Sequence, residues 1–134
     1  MPKTIQQTVT LNASPEALFD TYLDSKRHAA VIGSKVSISR DVGRSFTAFD
    51  GGLTGRNLMI VPKQLIVQAW RGEQWKATDA DSILILIFNK ATGGARINLI
   101  HANVPDHQYT IIHGGWRQHY WNPWKAYLKR ARSR

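Results

Sequence analysis

Cysteine, long apolar runs and acidic side chains are scarce in this chain, and each shortage excludes a class of protein. Without cysteine among its 134 residues, the chain cannot form a disulfide framework, a thiolate metal site or a thiol nucleophile. No apolar run reaches the roughly 18 residues that a transmembrane helix needs. The N-terminus shows no apolar signal core. We therefore expect a cytoplasmic protein with no membrane span.

The shortage of acidic residues leaves the chain strongly basic. Nine acidic residues stand against 18 basic ones, and the net charge is +9. The last carboxylate side chain is Asp106, and the final 28 residues carry six basic side chains and no acidic one. This segment, with its basic tail at about 129–134, predicts contact with an acidic protein surface, although a solvated helix face explains the same charges. The candidate partner-binding residues are Arg117, Lys125, Lys129, Arg130 and Arg132.

Motifs of familiar catalytic sites are also missing. The sequence has no HExxH pair, no nucleotide-binding glycine motif and no GxSxG elbow. None of its five histidines forms an i,i+4 pair on a predicted helix, which argues against a metal site. We expect no metal and no cofactor, and the sequence favours a non-enzymatic function.

The chain does contain a clear order of secondary-structure signals. Residues 4–12 alternate apolar and polar side chains, as a half-buried strand does. Ser14 and Pro15 then match a helix start, and Gly33 is placed to end a second short helix. A run of strands is predicted next, at residues 36–40, 44–49, 53–61, 65–71, 82–88 and 96–104.

Two of these segments carry further information. Asp50, Gly51 and Gly52 form a hairpin signal, because glycine supplies the positive φ angles of tight turns. Residues 82–88 are apolar at both parities, which predicts a central strand that is covered on both sides.

The final segment predicts a long helix that starts at about Gly114 and has one aromatic face. Trp116, Tyr120 and Trp124 recur there at helical spacing, while the basic side chains lie elsewhere. Pro123 should kink this helix, because proline lacks the N–H that a helix interior needs. Helices separated from an antiparallel meander imply an α+β fold with the helices on one face of the sheet. We interpret residues 1–134 as a single domain.

Several pieces of the sequence, taken in order, resemble one family. They are the helix start at 14–19 (SPEALF), the hairpin pieces 43–46 (GRSF), 50–52 (DGG) and Gly55, the strand 66–71 (IVQAWR), and the helix opening with GW at 115–116 and HYW at 119–121. From about Thr8 to Leu128 the chain resembles the C-terminal domain of the activator of the 90-kDa heat-shock chaperone's ATPase, in the START-like (SRPBCC) helix-grip group. The resemblance implies a curved antiparallel sheet of about six to seven strands, two short helices after the first strand, and a long C-terminal helix across the sheet.

The resemblance also implies what the chain does. Two-domain members of the family stimulate the chaperone's ATPase, and the wider START-like group includes binders of lipids, hormones and polyketides. We expect a binding domain that holds a small hydrophobic ligand in an apolar cleft between the C-terminal helix and the sheet. The alternatives are a co-chaperone-like module that contacts an acidic partner such as the 90-kDa heat-shock chaperone, and a cyclase- or hydrolase-like enzyme.

Large rings are the side chains expected to line this cleft. The set is Phe46, Trp70, His101, Trp116, Tyr120 and Trp124. Full burial of one such side chain contributes roughly 1.5–3 kcal/mol, so a filled core explains the rings equally well. His101 could bond a ligand or carry a proton, and a core histidine bonded to a neighbouring hydroxyl or backbone group is the alternative. Because the rings should face inward and the basic side chains outward, nucleic-acid binding is not expected.

Overall fold

The described part of the chain contains six strands and four α-helices, joined by loops and short helical turns. The computed structural model describes residues 1–132, without the side chain of Arg132. The strands are β1 (Lys3–Leu11), β2 (Ser45–Ala48), β3 (Leu53–Val61), β4 (Leu65–Gly72), β5 (Ser82–Ala91) and β6 (Gly94–Val104). The helices are α1 (Pro15–Leu23), α2 (Ser25–Ile32), α3 (Tyr109–Trp116) and α4 (Asn122–Arg132). Within these residues, no helix is both long enough and apolar enough to cross a membrane.

The strands form one open antiparallel sheet in the order β1-β6-β5-β4-β3-β2. Alternate residues of β5, namely Leu84, Leu86 and Phe88, are buried on the face that the helices cover. The ring of Phe88 meets that of Phe19 in α1 edge-on, with 5.7 Å between centroids. The core therefore lies between the helices and this inner face of the sheet, which confirms the α+β helix-grip prediction.

The two short helices begin and end where their sequence signals predict. The Ser14 hydroxyl accepts a hydrogen bond from the N–H of Ala17 at 3.1 Å, and Pro15 occupies the first helical position. Gly33 ends α2 with a φ of +71°, in the left-handed region that glycine enters without steric cost.

The strand predicted at residues 36–40 is wrong. Only Ser37 pairs there, through a single bridge to Thr47. The segment is held instead by the Ser25 hydroxyl, which accepts from the N–H of Ile38 at 2.8 Å and donates to the carbonyl of the same residue at 2.9 Å. Because one side chain satisfies these backbone groups, this part of the segment needs no ladder of strand pairs.

Residues 82–88 form a central strand, as predicted, but the prediction that other elements cover both faces of this strand is wrong. The segment lies inside the sheet, between β4 and β6. Its second apolar row, Ile83, Ile85 and Ile87, is only half-buried, and no described helix packs on it. The described helices lie on the inner face, so the opposite, outer face of the sheet stays open.

The C-terminal helical segment starts at Tyr109 rather than at Gly114, so two glycines lie inside it. A π-helical turn over Arg117–Trp121 joins α3 to α4. Pro123 follows this turn and lacks the N–H that would bond the carbonyl of His119. The irregularity predicted for Pro123 is therefore a π-helical turn directly before it, a known cause of helix bending.

Candidate ligand pocket

A pocket of about 650 Å³ opens between α3, the end of β4 and the connection from β2 to β3. Its wall is mainly aromatic and aliphatic, and the principal lining side chains are Phe49, Leu53, Trp70, Trp75, Trp116 and Tyr120. Such a volume lies within the range of small-molecule sites in proteins.

The pocket wall also includes polar side chains and two glycines of α3. Glu73 and His119 line it and are exposed to solvent. Gly114 and Gly115 line it from α3, and a Cβ atom added at Gly114 would meet no atom within 4 Å. The absence of two side chains from α3 therefore leaves space on the pocket side of the molecule.

Three of the six predicted cleft residues line this pocket, namely Trp70, Trp116 and Tyr120. The other three, Phe46, His101 and Trp124, are buried and are not part of its wall.

The positions of Phe46 and Trp124 follow from their neighbours. Phe46 packs against Gly55, where an added Cβ would lie 2.5 Å from the Phe46 ring. Trp124 borders a void among Thr21, Tyr22 and other core residues that has no room for water. Both rings therefore act as core side chains in this structure.

His101 is completely buried and has a partner for each ring nitrogen. The indole N–H of Trp116 donates to its Nδ1 at 3.2 Å, which places the proton of the neutral ring on Nε2. Nε2 lies 2.7 Å from the hydroxyl of Ser82, and that hydroxyl donates to the carbonyl of Trp70 at 2.8 Å. Burial lowers the pKa of His101 to about 3. The geometry is that of a neutral core histidine that holds two pocket tryptophans in place.

A second buried chain of hydrogen bonds holds Tyr120. Nδ1 of His28 lies 2.8 Å from the carbonyl oxygen of Tyr22, which can only accept, so Nδ1 carries the proton. Nε2 of His28 then accepts from the Tyr120 hydroxyl at 2.8 Å. The Tyr22 hydroxyl donates to Gln68 at 2.8 Å, and Gln68 donates to Asn57 at 2.8 Å. The chain links α2, α1 and two strands to the Tyr120 side of the pocket.

Burial sets the ionisation of this network. It lowers the pKa of His28 to about 4, against the opposing effect of the hydrogen bond to Tyr22. Burial, followed by the proximity of Tyr22, raises the pKa of Tyr120 well above its usual range. Burial also raises the pKa of Tyr22. His28, Tyr22 and Tyr120 are therefore all uncharged near neutral pH, and they place no buried charge in the pocket wall.

Trp75 reaches the pocket from the loop after β4, and Arg71 holds that loop. The guanidinium of Arg71 donates to the carbonyl oxygen of Asp79 at 2.8 Å and to that of Lys76 at 2.5 Å. It also lies 5.9 Å from the Trp75 ring centroid. His107 ties down the same loop, because its Nε2 lies 2.7 Å from the Asp79 carboxylate.

The predicted set of cleft residues left out the pocket residues that lie outside regular elements. Trp75 lies in the loop after β4, and Phe49 lies in a short 3₁₀ turn with a positive φ of 52°. Neither position belongs to a periodic pattern that points toward the C-terminal helix. Ile111 and Ile112 line the pocket from the part of α3 that was not predicted to be helical.

The predicted basic face lies on the exposed side of the C-terminal segment. Arg117, Lys125, Lys129 and Arg130 are exposed. The side chain of Arg132 lies outside the described residues. Among the described residues, no three acidic, histidine or cysteine side chains are grouped as a metal site.

Comparison with known proteins finds one matching family and several similar sequences. The family model described as "Activator of Hsp90 ATPase homolog 1-like protein" matches residues 12–129. An uncharacterised protein of Schizosaccharomyces pombe is 26% identical over 122 residues, which are 91% of this chain and 36% of that protein. The human activator of 90 kDa heat shock protein ATPase homolog 1 is 23% identical over 111 residues, which are 83% of this chain and 32% of the human protein.

Solved structures give the same result for the fold. The crystal structure of an HSP90 activator from Plasmodium falciparum superposes with a TM-score of 0.83 at 22% identity, covering 94% of this chain and 96% of that one. The chain spans about a third of the length of the curated relatives that it matches. It belongs to the family of activator of Hsp90 ATPase homolog 1-like proteins.

Proposed function

We propose that this chain binds a small hydrophobic ligand in the pocket between α3 and the sheet. The observation that carries the proposal is an open volume of about 650 Å³ beside the aromatic core. An open cleft of this volume lies within the size range of small-molecule sites. Apolar walls with a few polar side chains at the opening are typical of ligand sites.

The polar chains under the pocket support a binding role rather than a catalytic one. His101 uses both ring nitrogens on Trp116 and Ser82, so it presents no free lone pair to a bound molecule. The same is true of His28, which bonds Tyr22 and Tyr120. These contacts fix the rings that form the wall, and fixed walls lower the entropy lost when a ligand binds.

The test is titration with an environment-sensitive apolar fluorophore. The chain should bind the fluorophore at one site, and Gly115→Leu should weaken binding at least several-fold, because it adds a side chain at a pocket-lining position that has none. Ala126→Leu, on the exposed surface of α4, is the matched control and should bind like the unaltered chain. Equal binding by all three proteins, or no binding at all, would sink the proposal.

A second candidate is a contact with an acidic protein partner, since curated relatives are named as activators of the 90 kDa heat shock protein ATPase. The exposed basic residues Arg117, Lys125 and Arg130 support it. Rates of the chaperone ATPase, measured with and without this chain at low and high salt, test it. The double variant Lys125→Glu/Arg130→Glu should lose the effect, while Gly115→Leu should keep it. Stimulation that survives the charge reversal would rule out this surface.

A further inference from the structure

The outer face of the sheet carries a continuous apolar patch. The side chains of the patch are Leu65, Val67, Ile83, Ile85, Ile87 and Ile100. They share one face because the register pairs Val67 with Ile85 and Ile85 with Ile100, and the neighbouring pairs continue the rows. In a sheet with one solvated face, these positions are ordinarily polar.

The patch extends onto β3, where two further apolar side chains are exposed to solvent. Met59 pairs with Val67 and is 53% exposed, and Val61 pairs with Leu65 and is 37% exposed. Large apolar side chains with this exposure, next to a row of isoleucines, mark an interaction surface rather than single surface hydrophobes.

The rim of the patch is polar and its centre carries no charge. On the β1 side Thr8 donates to Asn98 at 2.9 Å, and Gln6 pairs with Ile100. Arg96 pairs with Asn89 at one end of the strands, and Asp81 directly precedes β5 at the other end. An apolar centre inside a polar rim is the usual composition of a protein–protein interface.

The charge distribution selects the occupant. The chain carries a net +9, and an acidic partner or a nucleic acid would be drawn to its basic surfaces and not to an uncharged patch. A second copy of the same face brings no like charges together at the centre.

The size of the face also fits a second copy. The five strands β1 and β3–β6 are 8–11 residues long. At about 4.8 Å between strands and about 3.3 Å per residue, they form a face of roughly 24 Å by 30 Å, or about 700 Å². A stable dimer of standard size buries about 800 Å² on each partner. Two sheets can therefore pack face to face with the patch at the centre.

We propose that two copies of this chain associate through the outer face of the sheet, with Ile85 near the twofold axis. The pockets then lie on the outside of the dimer, because each opens on the opposite side of its own sheet. This proposal is independent of whether the pocket binds a ligand.

Sedimentation velocity across micromolar to submillimolar concentrations tests the proposal. The unaltered chain should reach twice its mass of 15.1 kDa. Ile85→Lys should raise the dissociation constant by about a hundredfold or more, because two unpaired charges would meet in an apolar centre. Asn122→Lys adds the same charge on α4 and should leave the dimer unchanged. A chain that stays monomeric throughout, or a dimer that tolerates Ile85→Lys, overturns the proposal.

A cross-linking experiment checks the geometry without changing charge. The chain has no cysteine, so Ile85→Cys creates a single reactive thiol in each copy. Two packed sheets lie about 10 Å apart, so a bis-maleimide with a spacer of about that length should join two copies in high yield. Asn122→Cys should give only background cross-linking. Circular dichroism melting of each variant verifies that the fold is retained, and equal cross-linking of both variants would contradict the arrangement.

Discussion

Nε2 of His28 lies 2.8 Å from the Tyr120 hydroxyl, although 92 residues separate the two side chains in the sequence. Both are buried, and the bond joins α2 to the π-helical turn beside the pocket. This one contact therefore couples the N-terminal helices to the wall of the proposed binding site.

Tyr120→Phe should lower the free energy of unfolding by about 1–3 kcal/mol. The variant keeps the ring but leaves the acceptor nitrogen of His28 buried and without a donor. Urea denaturation at pH 7 measures the change. Tyr127→Phe is the control, because the Tyr127 hydroxyl has no hydrogen-bond partner among residues 1–132, and it should change stability little. Equal losses in both variants would mean that the bond to His28 contributes nothing.

Stability should fall as the pH drops from about 6.5 toward 4. Burial, opposed by the hydrogen bond to Tyr22, lowers the pKa of His28 to about 4, and burial lowers that of His101 to about 3. In this window the unfolded chain takes up protons that the folded chain does not, so each histidine removes about 1.4 kcal/mol per pH unit. Denaturation midpoints at pH 7, 6, 5 and 4.5 measure the slope. His28→Gln should make the slope shallower, and an unchanged slope would contradict the assignment.

Two glycine-to-alanine substitutions should have opposite effects on stability. Gly114→Ala should stabilise by about 0.5–1 kcal/mol, since the site is helical and open. Gly55→Ala should destabilise by several times that amount, because its Cβ would lie 2.1 Å from the carbonyl oxygen of Ala69. Melting temperatures of the two variants decide the matter. A stable Gly55→Ala variant would show that β3 and β4 are less closely packed here than the structure indicates.

Arg71→Met should weaken ligand-probe binding several-fold while changing the melting temperature little. The variant keeps an apolar stem but removes the hydrogen bonds that hold the loop carrying Trp75. A loop that must be ordered on binding costs affinity. Probe titration measures the effect, and Arg44→Met, which removes an exposed ion pair with Asp41, is the control. Unchanged probe affinity in Arg71→Met would separate the loop from the pocket.

Much of the fold could be predicted from local chemistry. Ser14 and Pro15 mark the first helix, Gly33 ends the second, and alternating apolar residues locate most strands. The failures arise where tertiary contacts override the local signal. The Ser25 hydroxyl forms hydrogen bonds with the backbone N–H and carbonyl of Ile38, where a strand was predicted. No sequence pattern predicts these two bonds.

The pocket was only partly predictable for the same reason. Helical spacing identifies Trp116 and Tyr120, because regular periodicity fixes which side of a helix faces inward. The remaining wall depends on the conformation of two connections. The position of Trp75 in one of them follows from the contacts of Arg71 with its own loop, which no periodic pattern predicts. Whether a ring lines a pocket or fills the core is also a matter of packing: Trp116 and Trp124 share a helical face and have different neighbours.

The two tryptophans Trp70 and Trp116 belong to the pocket wall and to the hydrophobic core at once. Under the proposed function, a substitution at either one should change folding stability together with ligand binding. Gln74, Thr110 and Ile111 also line the pocket, but they are exposed to solvent and are not part of the hydrophobic core. Under the proposed function, differences in ligand preference between related proteins should therefore be concentrated at this exposed rim rather than at Trp70 and Trp116.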